Sequence, residues 1–564
     1  MKLQWILGLL ATACTVVAAP SANHSLGIPP LGLDNRAIGP AIPSLPDSGD
    51  GCDSQPQPEP RFYNSVTKGF YVNGTTLPEI NFDVGESYAG NLPVSTKPGE
   101  SDELFFWFFP TANKEHQNDK EIVIWLSGGP GCSSMLAILQ ENGPFSWQPG
   151  TLKPTPNPFS WHLLSNVVWI DQPVGTGYSK GEPSIKDEDE LAEQFMGFWR
   201  NFVDTFGMHG WKVYIAGESY AGMYGPYISS HFIDAKDPEY YNMRGLLVYD
   251  GVMFDSIAQS SIPILPFINR YQDILPFDDL QLSKFRGIHE DCGFTDYFDK
   301  YLVFPPSGIQ PGLIPGANNE TCSNLWDTVR NMAWMANPCF NTYNIIDYCP
   351  FVNSVGANPV NNTNGSVPYF DRREVKIAIH ASPSTDWVPC ATKSVFLTND
   401  SKEQSSVPPG LKQLPNVIDT TQNVILAAGG VDILVPLNGI VLGIQNMTWG
   451  GRLGFQYQPQ DPFYVPDYGI TRIPGGFTGY GSNLPASHGV LGTTHHERGL
   501  TLVATKLAGH QGPEFAPAAA FRHIEKLLGR VKSLSNTESF TLPGLRNISQ
   551  PASTTLGKGT MPIP

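Results

Sequence analysis

The sequence predicts an α/β fold with a central, mostly parallel sheet flanked by helices. Short apolar runs closed by Gly, Pro or Asp recur along the chain: ELFFWFFP from Glu103, EIVIWLSGG from Glu121, NVVWIDQ, KVYIAG, GLLVYDG, NVILAAGG and LTLVATKLAG. Their lengths and flanks read as buried strands. An amphipathic stretch such as 190–206 reads as a crossover helix between them. A chain of 564 residues, 41% apolar and 11% aromatic, supplies the core that such a sheet needs.

From the start of the chain, MKLQWILGLLATACTVVAAP combines Lys2, an apolar run and small residues ahead of Pro20. This predicts a secretory signal peptide over residues 1–18, too short to be a membrane anchor. Residues 19–60 are rich in Pro, Gly, Ser and Asp and read as a disordered arm. The strand pattern then occupies 61–535. It lapses at about 255–368, where four cysteines and many turn residues predict a cap inserted over the sheet. Residues 536–564 turn polar and read as a disordered tail.

No later run is long enough to cross a bilayer, so a soluble protein without a membrane anchor is expected. The net charge of −17 excludes the basic face that a nucleic-acid binder needs. Sequons at Asn23, Asn73, Asn319, Asn361, Asn364, Asn399, Asn446 and Asn547 suit passage through the secretory pathway, as does the signal peptide. The expected destination is extracellular, or a vacuolar, lysosome-like compartment. Seven cysteines follow Cys14: Cys52, Cys132, Cys292, Cys322, Cys339, Cys349 and Cys390. An oxidising compartment pairs most of them, and the odd number leaves one over. None has zinc-site spacing, and no metal or cofactor is expected.

The hexapeptide GESYAG occurs twice, at 85–90 and at 217–222. A serine nucleophile needs a buried strand entering a tight turn of small residues, then a helix. The second copy has strand 212–216 before it and MYGPYISSHFI after it. The first follows the polar NFDV and runs into NLPVS, so Ser87 reads as a surface-strand residue. Chain order agrees with Ser219. The glycine-rich SGGPGCSS (127–134) follows strand EIVIWL and can aim backbone N–H groups at a reacting oxygen. Asp432 follows strand NVILAAGG, and His510 follows LTLVATKLAG. Ser219, Asp432 and His510 are therefore the predicted nucleophile, acid and base. His495 and His496 in GTTHHERG read as a solvated turn, and His488 as a loop residue.

WLSGGPGCSS, VVWIDQPVGTGYS, GESYAG, GGVDILVP and AGHQGPEFAP together resemble the serine carboxypeptidase family, within the α/β-hydrolase fold. The resemblance spans roughly 103–531. It implies an exopeptidase acting on peptide or protein C-termini, with Ser219, Asp432 and His510 as triad and Gly129 and Tyr220 N–H groups as oxyanion hole. It also implies that Glu141 and Glu218, with Ser127 and Gly128, receive the terminal carboxylate, and that Cys132 pairs with Cys390. The cap cysteines would then pair among themselves, leaving Cys52 free, intermolecular, or an alternative partner of Cys132. No Arg or Lys occupies these motifs, so protonated carboxyls are the available readers of a carboxylate.

Three positions depart from the family pattern. Ser127 stands where Asn is usual, Gly430 replaces an Asp, and Gln511 follows His510 in place of Met or Glu. Ser127 keeps open a second reading, an acyltransferase that resolves the same acyl-enzyme with an alcohol. A non-catalytic glycosylated binding protein is a third, and it gives the ordered triad no purpose.

Overall fold

The computed structural model describes residues 60–147, 153–347, 367–397, 406–468, 488–537, 541 and 550–563. All of them fall within one unit, Glu59–Pro564. The signal peptide, residues 19–59 of the arm, Cys52, Cys349 and the sequons Asn23, Asn361, Asn364, Asn399 and Asn547 lie outside the described residues.

The strands of the main sheet are β1 (Tyr71–Val72), β2 (Ser87–Pro93), β3 (Glu103–Phe109), β4 (Glu121–Leu126), β5 (Asn166–Asp171) and β6 (Lys212–Glu218). They continue with β7 (Met243–Tyr249), β8 (Val424–Gly429), β9 (Asp461–Val465), β10 (Gly489–Glu497) and β11 (Leu500–Thr505). The sheet order is β1-β2-β3-β5-β4-β6-β7-β8-β11-β10-β9. From β5 to β11 every neighbouring pair is parallel. Both margins are antiparallel. Every residue of β4, β5, β8 and β11 is buried, as strands covered on both faces must be.

Strand alternation sends side chains into two cores. Phe106 and Phe108 point to one face, Phe105, Trp107 and Phe109 to the other. The first face is covered by α1 (Glu188–Phe206), which buries Leu191, Phe195, Phe198, Trp199, Phe202, Val203 and Phe206. Asp187 caps it by accepting from the Glu190 N–H at 2.9 Å, and Gly207 ends it with φ 66°. Each buried aromatic or branched chain is worth about 1.5–3 kcal/mol, far more than helix propensity contributes. The second face is covered by α6 (Pro517–Leu527), through Phe521 and Ile524.

Between β7 and β8 the chain leaves the sheet. The expected insertion contains α3 (Asp279–Asp291), started by a capping box of Asp278 and Gln281, and α4 (Leu325–Ala336). Cys292 and Cys322 are bonded, and Cys339 is disulfide-bonded as well. The excursion does not stop near 368. Tyr369, Phe370, Val375 and Trp387 are buried in the second core, and only α5 (Gln413–Thr421) leads back into β8. Turn-rich composition marks where the strand pattern lapses, but not where returning aromatics dock.

Three further expectations are corrected. Ser87 lies in strand β2 but is fully buried, accepting from Trp107 Nε1 at 3.1 Å. Its polar neighbours concealed that partner. His495 and His496 belong to β10, and His495 is buried against Glu497 at 2.8 Å. The chain end, expected to be disordered, packs onto the domain over 550–563. Met561 and Ile563 are buried, and the Thr493 hydroxyl donates to the Met561 carbonyl at 2.6 Å while accepting from its N–H at 2.9 Å. Two buried apolar residues and hydrogen bonds along its length dock a segment whose composition is mostly polar.

Candidate active site

The predicted site residues arise at the C-terminal ends of adjacent parallel strands, where open α/β sheets place their ligand crevice. Strand β6 ends at Glu218, and α2 (Ala221–Asp234) begins two residues after Ser219. Ser219 is held at φ 59°, a left-handed conformation that serine adopts only under constraint. The constraint is visible. Its N–H donates to the Tyr249 carbonyl at 2.8 Å, and its carbonyl accepts from Gly222 and Val252 at 2.9 and 3.0 Å. A Cβ on Gly222 would come within 2.7 Å of the Val252 backbone, so the motif's glycine is demanded by close approach.

The loop after β4 wraps directly over this turn. A Cβ on Gly128 would lie 2.6 Å from the Tyr220 nitrogen and 2.7 Å from Ser219 Cβ, which brings Ser127, Gly128 and Gly129 against Ser219 and Tyr220. Gly129 has φ 115°, open only to glycine. Buried Asp171 anchors the loop by accepting from the Ser133 hydroxyl and the Ser134 N–H, both at 2.8 Å. A disulfide joins Cys132 to Cys390, and the Ala391 N–H donates to the Gly131 carbonyl at 2.8 Å. Ser127 is buried, and its hydroxyl accepts from Trp125 Nε1 at 3.1 Å. One hydroxyl proton is then left to donate.

Asp432 and His510 meet at 2.8 Å between Oδ2 and Nδ1, with both side chains buried. Asp432 also accepts from the Leu434 N–H at 2.7 Å and the Val435 N–H at 3.2 Å. The Nδ1 proton therefore belongs to the bond with Asp432, which leaves Nε2 as the lone-pair nitrogen. No partner occupies Nε2. Burial pushes the imidazole down, but the Asp432 carboxylate and Glu218 outweigh it, and the net direction is upward. The His510 N–H donates to the Tyr343 carbonyl at 2.7 Å, and the half-exposed Tyr343 ring stands 5.3 Å from the imidazole.

Glu141 and Glu218 are both buried, and their carboxyls act directly on one another. Burial pushes Glu141 well up, and Glu218 and Glu514 add to the shift. Burial also pushes Glu218 up to about 7, against the pull of His510. Two carboxyls in contact cannot both ionise cheaply, so this pair keeps a proton at neutrality and below.

A family model described as serine carboxypeptidase matches residues 78–530. The chain belongs to the serine carboxypeptidase family. This carboxypeptidase is 43% identical to a carboxypeptidase Y homolog of Arthroderma benhamiae, over 85% of its own length and 90% of the relative's. It is 42% identical to serine-type carboxypeptidase F of Aspergillus niger, covering 84% and 89%. Among solved structures it is similar to a prohormone-processing carboxypeptidase from Saccharomyces cerevisiae, with TM-score 0.63, 22% identity and coverage of 82% and 96%. That likeness supports the α/β-hydrolase fold.

Three residues at the carboxypeptidase's site escaped sequence reasoning. Tyr343 comes from the insertion, which has no periodic pattern to read. Glu514, pushed up to about 8 by burial and by Glu218, follows His510 by only four residues, but its neighbour comes from another strand. Asp250 follows strand β7 as Asp432 follows β8, a signal that was available in GLLVYDG. Gly430, where the family usually has Asp, faces the docked chain end: a Cβ there would meet Met561 Cε at 2.7 Å. Of the described sequons, Asn73 and Asn319 are exposed. Asn446 is half-buried, with its Oδ1 accepting from the Gln310 N–H at 2.9 Å.

Proposed function

We propose that this carboxypeptidase is a secretory-pathway enzyme, extracellular or vacuolar, that releases C-terminal amino acids from peptides on the acid side of neutrality. Ser219 attacks the last peptide bond, His510 Nε2 takes its proton and passes it to the leaving amine, and Asp432 holds the imidazole. The N–H groups of Gly129 and Tyr220 stabilise the oxyanion. Water then resolves the acyl-enzyme. The observation that carries this reading is the buried Asp432–His510 pair at the same edge of the sheet as a serine constrained to φ 59°. The signal peptide and sequons support the compartment. No described helix is long and apolar enough to cross a membrane.

Recognition of a free C-terminus falls to the Glu141–Glu218 pair, with Ser127 and Gly128 beside it. A carboxyl pair that holds a proton donates a hydrogen bond to the substrate's carboxylate without needing a cation. Amidating the C-terminus of a peptide substrate is expected to lower kcat/KM by about 10²-fold or more, because the site's buried donors lose their acceptor. Mass spectrometry of digests reads the products. Equal turnover of the amide, or internal cleavage, defeats the exopeptidase reading. Transfer to an added alcohol in preference to water would favour the acyltransferase, for which the Ser127 hydroxyl is the motivating feature.

A further inference from the structure

Strands β7 and β8 run side by side with Tyr249 opposite Ala427, so the residues that follow them emerge together. Asp250 is the first residue after β7. It is fully buried at φ 44°, and its N–H donates to the Ala427 carbonyl at 2.8 Å. Its Oδ1 accepts from the Gly429 N–H at 2.8 Å, three residues before Asp432. The two buried aspartates stand at neighbouring strand ends, and their carboxyls act directly on one another.

One of the two must hold a proton, and the surrounding donors decide which. Asp432 accepts from three N–H groups: Leu434, Val435 and His510 Nδ1. Each of these occupies an acceptor position on its carboxylate oxygens. Among the described residues Asp250 accepts from the Gly429 N–H alone, and its Oδ2 receives no N–H. Facing it are Glu218 from β6, Tyr249 from its own strand, and His523 from α6 across a cavity of ≈ 10 Å³. Burial pushes His523 down to about 3, so it brings no positive charge. Burial first, and then Asp432, push Asp250 well above the usual carboxylate range.

We propose that Asp250 is a positioning residue: it stays protonated and donates its O–H to Asp432, fixing that carboxylate against His510. This rests on reading Asp432 as the triad acid. A neutral donor also spreads the negative charge of Asp432. His510 is then held less far up than a bare carboxylate would hold it, and it keeps its lone pair further into the acid range.

The test measures kcat and KM against pH, with thermal unfolding, for Asp250→Ala, Asp250→Asn and Asp432→Asn. Asp250→Ala is expected to lower kcat about tenfold, the scale of one lost hydrogen bond to a charged group, with KM little changed. It should also move the acid limb of kcat upward. Asp250→Asn supplies a neutral donor and is expected to restore kcat to within about threefold and return the acid limb. An acid limb that moves downward in Asp250→Asn would show that a negative charge had been removed, and would overturn the proposal. So would a folded Asp250→Ala variant with the parent kcat and pH profile. If Asp250→Ala does not fold, the Asp250→Asn profile decides alone. Asp432→Asn separates the two readings: about 10⁴-fold loss is expected, and parent-like activity there defeats the triad assignment itself.

Discussion

Ser219→Ala is expected to lower kcat by about 10⁶-fold and to abolish covalent labelling by an organophosphate, while the protein remains folded. The loss is that large because the proposed function makes Ser219 the nucleophile, held at a strained elbow directly beneath the glycine loop. The control is the other hexapeptide. Ser87→Ala removes the acceptor for Trp107 Nε1, and a buried donor left unpaired costs about 1–3 kcal/mol. That variant should unfold at a lower temperature yet label like the parent. If Ser87→Ala folds but does not label, or Ser219→Ala still labels, the assignment of the two copies is reversed.

The second large effect concerns pH. Glu141 and Glu218 both have their ionisation pushed upward, Glu218 to about 7. Below that value both carboxyls hold protons, and the last proton, on Glu141, leaves only as pH rises further. While it stays, the pair donates to the substrate's carboxylate. Once it is gone, two negative charges meet a third. KM is expected to be flat on the acid side and to climb on the alkaline side, beyond about pH 7, by up to about tenfold per pH unit for one linked proton. Loss of the His510 lone pair sets the opposite, acid limb, which lies in kcat. Glu141→Gln places a neutral donor beside an ionised Glu218, the same net charge as the singly protonated pair. The climb in KM should flatten, even if affinity falls overall. An unchanged climb in Glu141→Gln removes the pair from its role as pH sensor.

How far the residues themselves announced this site follows from what a linear pattern encodes. Strands β4 and β8 were legible because a strand buried on both faces is apolar at every position. Ser219, Asp432 and His510 could be picked out as candidates because each follows a strand of the sheet, in chain order. Glu141 and the Cys132–Cys390 bond came from resemblance alone, since nothing local to either points across the fold. Asp250 was hidden for a different reason. Its meaning depends on the register between β7 and β8, which are separated by the 174 residues 250–423. Ser87, His495 and Met561 were misjudged from their polar surroundings, because composition averages over neighbours whereas burial is decided residue by residue.

The bond between Cys132 and Cys390 spans 258 residues of sequence. It fastens the loop holding Gly128 and Gly129 to a segment made long after the Ser219 turn. A growing chain can complete the serine turn while that loop is held by Asp171 but not yet tied to the far segment. The tie forms only when Cys390 has arrived and the two sulfurs have been oxidised. The last restraint on the loop is thus set by the surroundings: a copy stranded in a reducing compartment carries Ser219, Asp432 and His510 but lacks the bond that fastens the glycine loop to the far segment.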